Sequence, residues 1–417
     1  MPSSQEFPDV LSSSVRNVSL SPIAKAGQSA ARLIGEGRDV ITLTAGEPDF
    51  DTPDAIKRAA IDAILSGKTK YTPTSGTGAL RQAIADHYAR RLGLDFSSDG
   101  VIVSNGVKQV IYNAFRATLD PDDEVILPSP YWPTFSGSIR LNGGKVVAVP
   151  TAREEDFLLT GARLESAITS GTKWLVINSP NNPTGAVYGE SRLLELADIL
   201  RRHPRVLILI DEIYDHITFN PDGSRGLLGV APDLRARTLI ANGVSKTYAM
   251  TGWRIGWAVA HARLIKAMEA VQSQVSSGPS SIGQAAALAA LSGAADDFLD
   301  SSRQAYRERA AFVVDNFNAI DGLSVHPPRG SFFAWIDCSA TLGKYRPDGK
   351  KLLNDQDVAD WILENGVALV PGHAYGQSPF LRLSFAASLN DLRRAHQRIA
   401  DALSVLEKDA PAESDVA

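Results

Sequence analysis

Seven short β-branched runs fall between residues 100 and 260: VIV at 101, EVIL at 124, KVVAV at 145, KWLVI at 173, VLILI at 206, TLIA at 238 and RIGWAVA at 254. Continuously apolar runs of this length are the pattern of strands buried on both faces. Amphipathic stretches such as VKQVIYNAFRATL and SRLLELADILRR separate several of them. Strands alternating with helices imply a mainly parallel, seven-stranded sheet covered on both sides, the doubly wound α/β class. The last run is the exception. Gly243 to Trp253 is barely long enough for a helical crossover, which predicts an antiparallel RIGWAVA strand that returns Arg254 to the edge holding Lys246.

At 417 residues the chain exceeds the size at which one hydrophobic core stops growing, so two domains are expected. After about residue 300 the pattern changes to a charged helix (SSRQAYRERAAFVVDNF), an alternating strand (SFFAWID), a polar loop and a second strand (LRLSFAA). This reads as a smaller α+β domain. The C-terminal EKDAPAESDVA and the first dozen residues are polar and read as frayed ends.

Charge and composition narrow the partners. With 42 basic and 47 acidic residues the net charge is -5, which offers no cationic field for a phosphate backbone, so nucleic acid is not expected. One cysteine, Cys338, allows no internal disulfide and no cysteine-based zinc cluster, and fits a reducing compartment. No uncharged run approaches the roughly 18 residues of a membrane span. Glu6 and Asp9 stand where an export signal would need a basic start and an apolar run. The expectation is a cytoplasmic protein with no membrane partner.

Polar, Gly- and Pro-rich motifs follow the strand runs: SNGVK, SPYWP, NSPNNPTG, DEIYD and NGVSK. Ligands of open α/β sheets bind outside the carboxyl ends of strands, so five clusters converge on one edge. Three familiar signatures fail. SGTGALR at 75 lacks a preceding strand and a third glycine, GKT at 67 has Asp62 where a P-loop needs its first glycine, and the seven histidines show no spacing such as H-E-x-x-H. Hydride transfer, ATP hydrolysis and zinc catalysis lose support, and no metal is expected.

What remains is NGVSKTYAMTGWRIG, residues 242–256, with two cations and no acid between them. Most lysines are solvated surface cations, but Lys246 follows a buried strand at the ligand edge, where a desolvated amine could lose its proton and condense with a carbonyl. The fixed donor fork of Arg254 suits a phosphate. An amine for an aldehyde and a guanidinium for a phosphate describe pyridoxal phosphate.

GVSKTYAMTGWRIG resembles the pyridoxal-phosphate attachment signature of class-I aminotransferases. The likeness runs from LTAGEPDFDTP at 43 to RLSFAAS at 382, through YTPTSGTGALR, NGVKQ, SPYWP, NSPNNPTG, DEIY and GSFF in the family's order, and is nearest to the bacterial aspartate aminotransferase branch. It implies a fold-type-I pyridoxal-phosphate transferase. An N-terminal arm with part of the small domain would span 1–49, the large cofactor-binding domain 50–297, and the C-terminal small domain 298–417.

The resemblance also implies roles for particular residues. Lys246 would bind the aldehyde and then act as general base. Asp211, otherwise readable as a helix cap, would keep the pyridine nitrogen protonated so that the ring serves as an electron sink. Tyr214 and Asn182, the latter equally natural as a turn residue before Pro183, would hydrogen-bond the phenolic oxygen. Gly106, Val107 and Lys108 open a helix whose free N–H groups can hold the phosphate, with Ser245 and Arg254. Trp132 resembles the ring that stacks on the pyridine, and Gly46 the position whose backbone approaches the substrate carboxylate. Tyr71 would reach the phosphate of a neighbouring subunit, which implies a homodimer with shared active sites. Arg382 is read either as a salt bridge to Asp337 or Glu364, or, by resemblance, as the fork that grips the substrate's α-carboxylate.

The activity implied is ping-pong transfer of the amino group of aspartate or glutamate to a 2-oxo acid, oxaloacetate or 2-oxoglutarate. Lys108 would meet the distal carboxylate, unless it is simply a solvated lysine at a helix start. Two departures from the family pattern, Lys25 in SPIAKAG and Tyr375 before Arg382, leave room for an aromatic or prephenate-like substrate. A lyase or decarboxylase on the same scaffold is the other alternative, distinguished by a product that is not an oxo acid.

Overall fold

The computed structural model describes residues 10–16, 18, 22–219 and 226–410. All seven apolar runs are strands of one sheet: β1 (Val101–Ser104), β2 (Glu124–Ser129), β3 (Lys145–Pro150), β4 (Thr172–Asn178), β5 (Leu207–Asp211), β6 (Thr238–Gly243) and β7 (Gly256–Val259). Their spatial order is β1-β7-β6-β5-β4-β2-β3. Only β7 runs against its neighbours, pairing antiparallel with both β1 and β6, as the short 243–253 connection predicts.

Successive residues of the central strands feed two different cores, which is why the runs show no polar alternation. Ile102, Val176, Leu209, Leu239 and Ala241 point into one cluster, and Val103, Leu175, Ile208, Ile210 and Ile240 into the other. Each valine, leucine or isoleucine among them contributes about 1.5–3 kcal/mol by leaving water, so a charge on either face would undo the sheet. The first cluster continues beyond the sheet to Phe333, Leu381 and Ile399.

The chain after residue 296 builds a four-stranded antiparallel sheet from Val370–Pro371, Phe380–Ser384, Phe333–Asp337 and Ser324–His326, in that order. The long helix is Asp296–Phe317, starting earlier than SSRQAYRERAAFVVDNF because Asp296 and Asp297 favour the positive end of the helix dipole. A short parallel pair, Ile41–Thr42 with Val367–Ala368, binds the N-terminal segment to this C-terminal unit. The C-terminal tail differs from expectation at its start: Glu407 exchanges backbone hydrogen bonds with Tyr345 at 2.7 and 3.0 Å, which holds that residue in place. The first nine and last seven residues, also read as frayed, lie outside the described residues.

Strand pairing aligns the strand ends that matter. Asn178 sits opposite Asp211, Asp211 opposite Ala241, and Gly256 opposite both Gly243 and Ser104. At Gly256 a Cβ would lie 2.5 Å from the Val107 nitrogen, so only glycine lets β7 approach the start of helix Val107–Thr118 this closely. Behind that helix, fully buried Gln272 donates to Thr74 O at 2.6 Å and Val103 O at 2.9 Å while accepting from Asn113 at 3.0 Å and from Ser104. This buried network fixes the SNG loop against the sheet.

Candidate active site

The carboxyl ends of β4, β5 and β6 and the start of helix Val107–Thr118 enclose a cavity of about 300 Å³. Gly46, Val107, Lys108, Trp132, Asn182, Asp211, Tyr214, Ser245, Lys246, Arg254 and Arg382 line it. Gly106 caps the helix beside it, with φ +86° and no side chain of its own to cap the free N–H groups. Tyr71 is not brought there: it is 99% exposed in the single chain. Lys25 is likewise exposed and does not line this cavity, whereas Ile23, two residues earlier on the same helix, does.

Lys246 lies in the short helix Val244–Thr247 that follows β6, and its ammonium donates to the carbonyl oxygen of Gly46. Burial pulls its pKa down to about 8; Arg254 and Arg382 push the same way, against Glu47 and Asp211. Gly46 therefore meets the lysine through its carbonyl.

Asp211 ends β5 and is 2% exposed. One carboxylate oxygen accepts the Ile213 N–H at 3.1 Å, the local capping bond that its position in the turn suggested, yet the side chain also opens on the cavity. Burial raises its pKa to about 7, with the Ile213 N–H opposing and Glu212 adding to the rise. An acid held this close to neutrality by desolvation is poised to ionise against a cation entering the cavity.

Tyr214 is held by the GSFF motif: its ring packs edge-on against Phe332 at 5.4 Å and Phe333 at 5.8 Å. Burial raises its hydroxyl pKa, so it is a neutral hydrogen-bond donor at physiological pH. Asn182 is positioned by a residue that sequence reasoning missed. Asn178, the last residue of β4, accepts the Asn182 N–H at 2.8 Å and donates to the Asp211 carbonyl at 3.1 Å. Asn178 and Ile213 both line the cavity. The signal for Asn178 was present, since it closes the KWLVI run at the ligand edge; nothing in the pattern marks Ile213.

The basic side of the cavity holds Lys108, Arg254 and Ser245. Arg254 adopts a left-handed backbone (φ 56°, ψ 52°), donates to the Thr251 carbonyl at 2.8 Å, and has no carboxylate partner among the described residues. Lys108 is exposed by area, but its ammonium sits 5.3 Å from the centroid of the Trp132 ring; lost solvation first, and Arg254 second, lower its pKa. Trp132 precedes helix Pro133–Leu141 and is braced by Phe135 at 5.6 Å. Two cations beside unsatisfied helix N–H groups, with no acid among them, suit an anion.

Arg382 is 1% exposed. The salt-bridge alternative fails: Glu364 pairs with Arg346, and Asp337 accepts the Ser339 N–H. The guanidinium instead donates to Asn182 Oδ1 at 3.3 Å and to the Thr44 carbonyl, and lies over Phe333 at 4.3 Å and Tyr375 at 5.3 Å. Its Nε has no hydrogen-bond partner among the described residues. A buried guanidinium with no carboxylate is complete only when an anion enters.

Comparison with known proteins gives a consistent frame. The family described as aminotransferase class I and II matches residues 38–399. An aspartate aminotransferase of Rhizobium meliloti is 46% identical over 393 residues, covering 94% of this chain and 95% of the relative. An aspartate/prephenate aminotransferase of Cereibacter sphaeroides is 45% identical over 390 residues, covering 93% of this chain and 97% of the relative. The crystal structure of the Rhizobium meliloti aspartate aminotransferase superposes with a TM-score of 0.93 at 45% identity, covering 96% of this chain and all of that one. The same α/β architecture is therefore shared across nearly the whole length.

Proposed function

The chain belongs to the class I and II aminotransferases, and we propose that it uses pyridoxal 5′-phosphate to move the amino group of aspartate or glutamate to a 2-oxo acid. The observation that carries the substrate reading is Arg382, buried and without a carboxylate partner among the described residues, opening on the same cavity as the amine of Lys246. The donor set also fits the cofactor: a buried acid that burial first, and Glu212 second, have raised to about pKa 7, an amine lowered to about 8, and an acid-free basic cradle at a helix start.

When bound, pyridoxal phosphate supplies an aldehyde carbon and an electron-accepting ring. The chain's own residues do the rest. Asp211 holds a proton on the ring nitrogen through its carboxylate, and Tyr214 Oη and Asn182 Nδ2 donate to the phenolic oxygen. Ser245, Arg254 and the N–H groups of Val107 and Lys108 would bind the phosphate, whereas the Gly106 N–H is spent on the Ser104 carbonyl at 2.7 Å. Trp132, which lines the cavity, would cover one face of the ring. Arg382 grips the α-carboxylate bidentately, Gly46 borders it, and Lys246 Nζ takes the proton from the substrate α-carbon.

Lys108 is the cation available to a second, distal carboxylate, which supports aspartate and glutamate as donors. A second reading, prephenate or an aromatic substrate, draws support from the relatives named aspartate/prephenate aminotransferase and from Tyr375, whose buried ring lies 5.3 Å from the Arg382 guanidinium. We read residues 50–297 as the large domain, with 1–49 and 298–417 forming the arm and small domain, a division supported by the pairing of Ile41–Thr42 with Val367–Ala368. Tyr71 at 99% exposure, with Ile61, Ile64 and Leu65 also exposed nearby in sequence, supports a homodimer in which Tyr71 serves the neighbouring site. No helix among the described residues is long and apolar enough to cross a membrane. One cysteine in the chain fits a cytoplasmic enzyme.

The test is half-transamination by the cofactor-loaded protein against a panel of amino acids, read from the cofactor's long-wavelength absorption, with the oxo acid identified. Aspartate and glutamate should bleach the band and yield oxaloacetate and 2-oxoglutarate. Bleaching by no amino acid would reject transamination, and a product other than an oxo acid would favour a lyase.

A further inference from the structure

Behind the turn that carries Tyr214, the helix Gly78–Leu92 brings His87 to Asp215 and His216. One ring nitrogen from each histidine and one oxygen of the carboxylate all lie within 4.8 Å of one another, and the two imidazole centroids are 6.2 Å apart. Asp215 Oδ2 is engaged by Arg91 at 2.7 Å and Asn242 at 2.9 Å. Its Oδ1 is buried and has no hydrogen-bond partner among the described residues. An orphaned carboxylate oxygen in the company of two imidazoles is costly unless something fills it.

We propose that His87, Asp215 and His216 form a binding site for one divalent transition-metal ion of the Zn²⁺ class. Two imidazole nitrogens and one carboxylate oxygen are a donor set that favours such ions over Mg²⁺ or Ca²⁺. Arg91 occupies only the other oxygen, so its ion pair survives metal binding. The bound ion would tie the helix Gly78–Leu92 to the segment that presents Asp211 and Tyr214. No histidine spacing announces the site, because one ligand comes from a helix far away in sequence.

The experiment is calorimetric titration of chelator-treated, cofactor-loaded protein with Zn²⁺, on wild type, His87→Ala and His216→Gln. Wild type should bind one ion per chain saturably and gain thermal stability. Losing an outer-sphere partner alone costs about 10–100-fold in metal affinity, so each variant should bind at least that much more weakly. X-ray absorption of the Zn²⁺ complex should show two imidazoles and an oxygen ligand. Absence of saturable binding, equal binding by all three proteins, or absorption without two imidazoles would each overturn the site. The spectroscopic arm uses wild type alone, so it decides the matter even if a variant does not fold.

Discussion

Arg382 and Asn182, 200 residues apart in the chain, meet at 3.3 Å between guanidinium and amide oxygen, and the meeting fixes where a substrate carboxylate can sit. Asn182 is itself held by Asn178, while Phe333 lies beneath the guanidinium at 4.3 Å, so the fork is aimed before any ligand arrives. A lysine at 382 would keep the charge and lose the planar fork and the stacking. Arg382→Lys should lower kcat/KM for aspartate by about 100-fold or more, a loss of about 3 kcal/mol, chiefly through KM. Steady-state kinetics would contradict this if kcat/KM were unchanged.

Asp211 makes the empty site unstable at neutral pH. Its pKa is about 7 in the folded chain against an ordinary 3.8, because burial disfavours the anion. Below pH 4 the carboxyl is protonated both folded and unfolded, and the site carries no penalty. Between pH 4 and 7 the unfolded chain ionises first, so stability falls, and above pH 7 the full penalty of about 4 kcal/mol is present. Asparagine mimics the protonated acid. Cofactor-free Asp211→Asn should therefore be more stable than wild type at pH 8, by up to that amount, with the difference vanishing near pH 4. With the cofactor bound, the order at pH 8 should invert. Denaturation curves at the two pH values, with and without cofactor, decide it; a pH-independent difference would sink the account.

How much of this was legible beforehand follows from what each residue's signal depends on. The seven strands were visible because both faces of each are buried, and the reversal of β7 because a short connection cannot carry a crossover. Asp211, Lys246 and Ser245 could be placed at the ligand edge by the strand runs they follow. Arg382 was ambiguous, since alternation in LRLSFAA says only that it faces away from Leu381 and Leu383; that its partners among the described residues are Asn182 and the Thr44 carbonyl rather than a carboxylate is a fact of the fold. Asn178 was overlooked because it reads as the end of an apolar run, although its two hydrogen bonds align Asn182 with Asp211. The approach of His87 to Asp215 and His216 depends on how a helix packs behind the sheet, which no local pattern encodes.

Gly106 can be tested without touching any side chain of the site. A Cβ there would lie 2.4 Å from Arg254 Nη2, and the φ of +86° is strained for any other residue. Gly106→Ala should displace Arg254 and distort the N–H groups that follow, weakening pyridoxal phosphate binding by about 10-fold to 100-fold, on the order of 1.4–3 kcal/mol. The affinity for the cofactor, measured by fluorescence titration of the cofactor-free protein, should move much more than the affinity for aspartate in the loaded enzyme. Equal cofactor affinity in variant and wild type would mean that the cradle lies elsewhere.

Arg91 holds two buried acids together, donating to Asp215 at 2.7 Å and to Glu212. Glu212 follows Asp211, and the Asp215 carboxylate also binds the side chain of Asn242 four residues before Lys246, so this ion triad stands directly behind the catalytic turn. Burial raises the Glu212 pKa with Arg91 opposing, whereas the Asp215 pKa is lowered, because His216, Arg91 and His87 together outweigh its desolvation. Removing the guanidinium leaves the buried Glu212 carboxylate without its cation, while Asp215 keeps Asn242 and the two histidines, and breaking a buried pair in this way typically costs about 3–5 kcal/mol. Arg91→Met should destabilise the protein by that order at pH 8. Without Arg91 the Glu212 carboxyl, which burial already raises, titrates higher still in the folded chain than in the unfolded one, so protons bind the folded form preferentially as pH falls, and the deficit should shrink by pH 5. Arg91→Lys should recover part of the stability at pH 8. A deficit of the same size at both pH values would show that the side chain acts through packing alone.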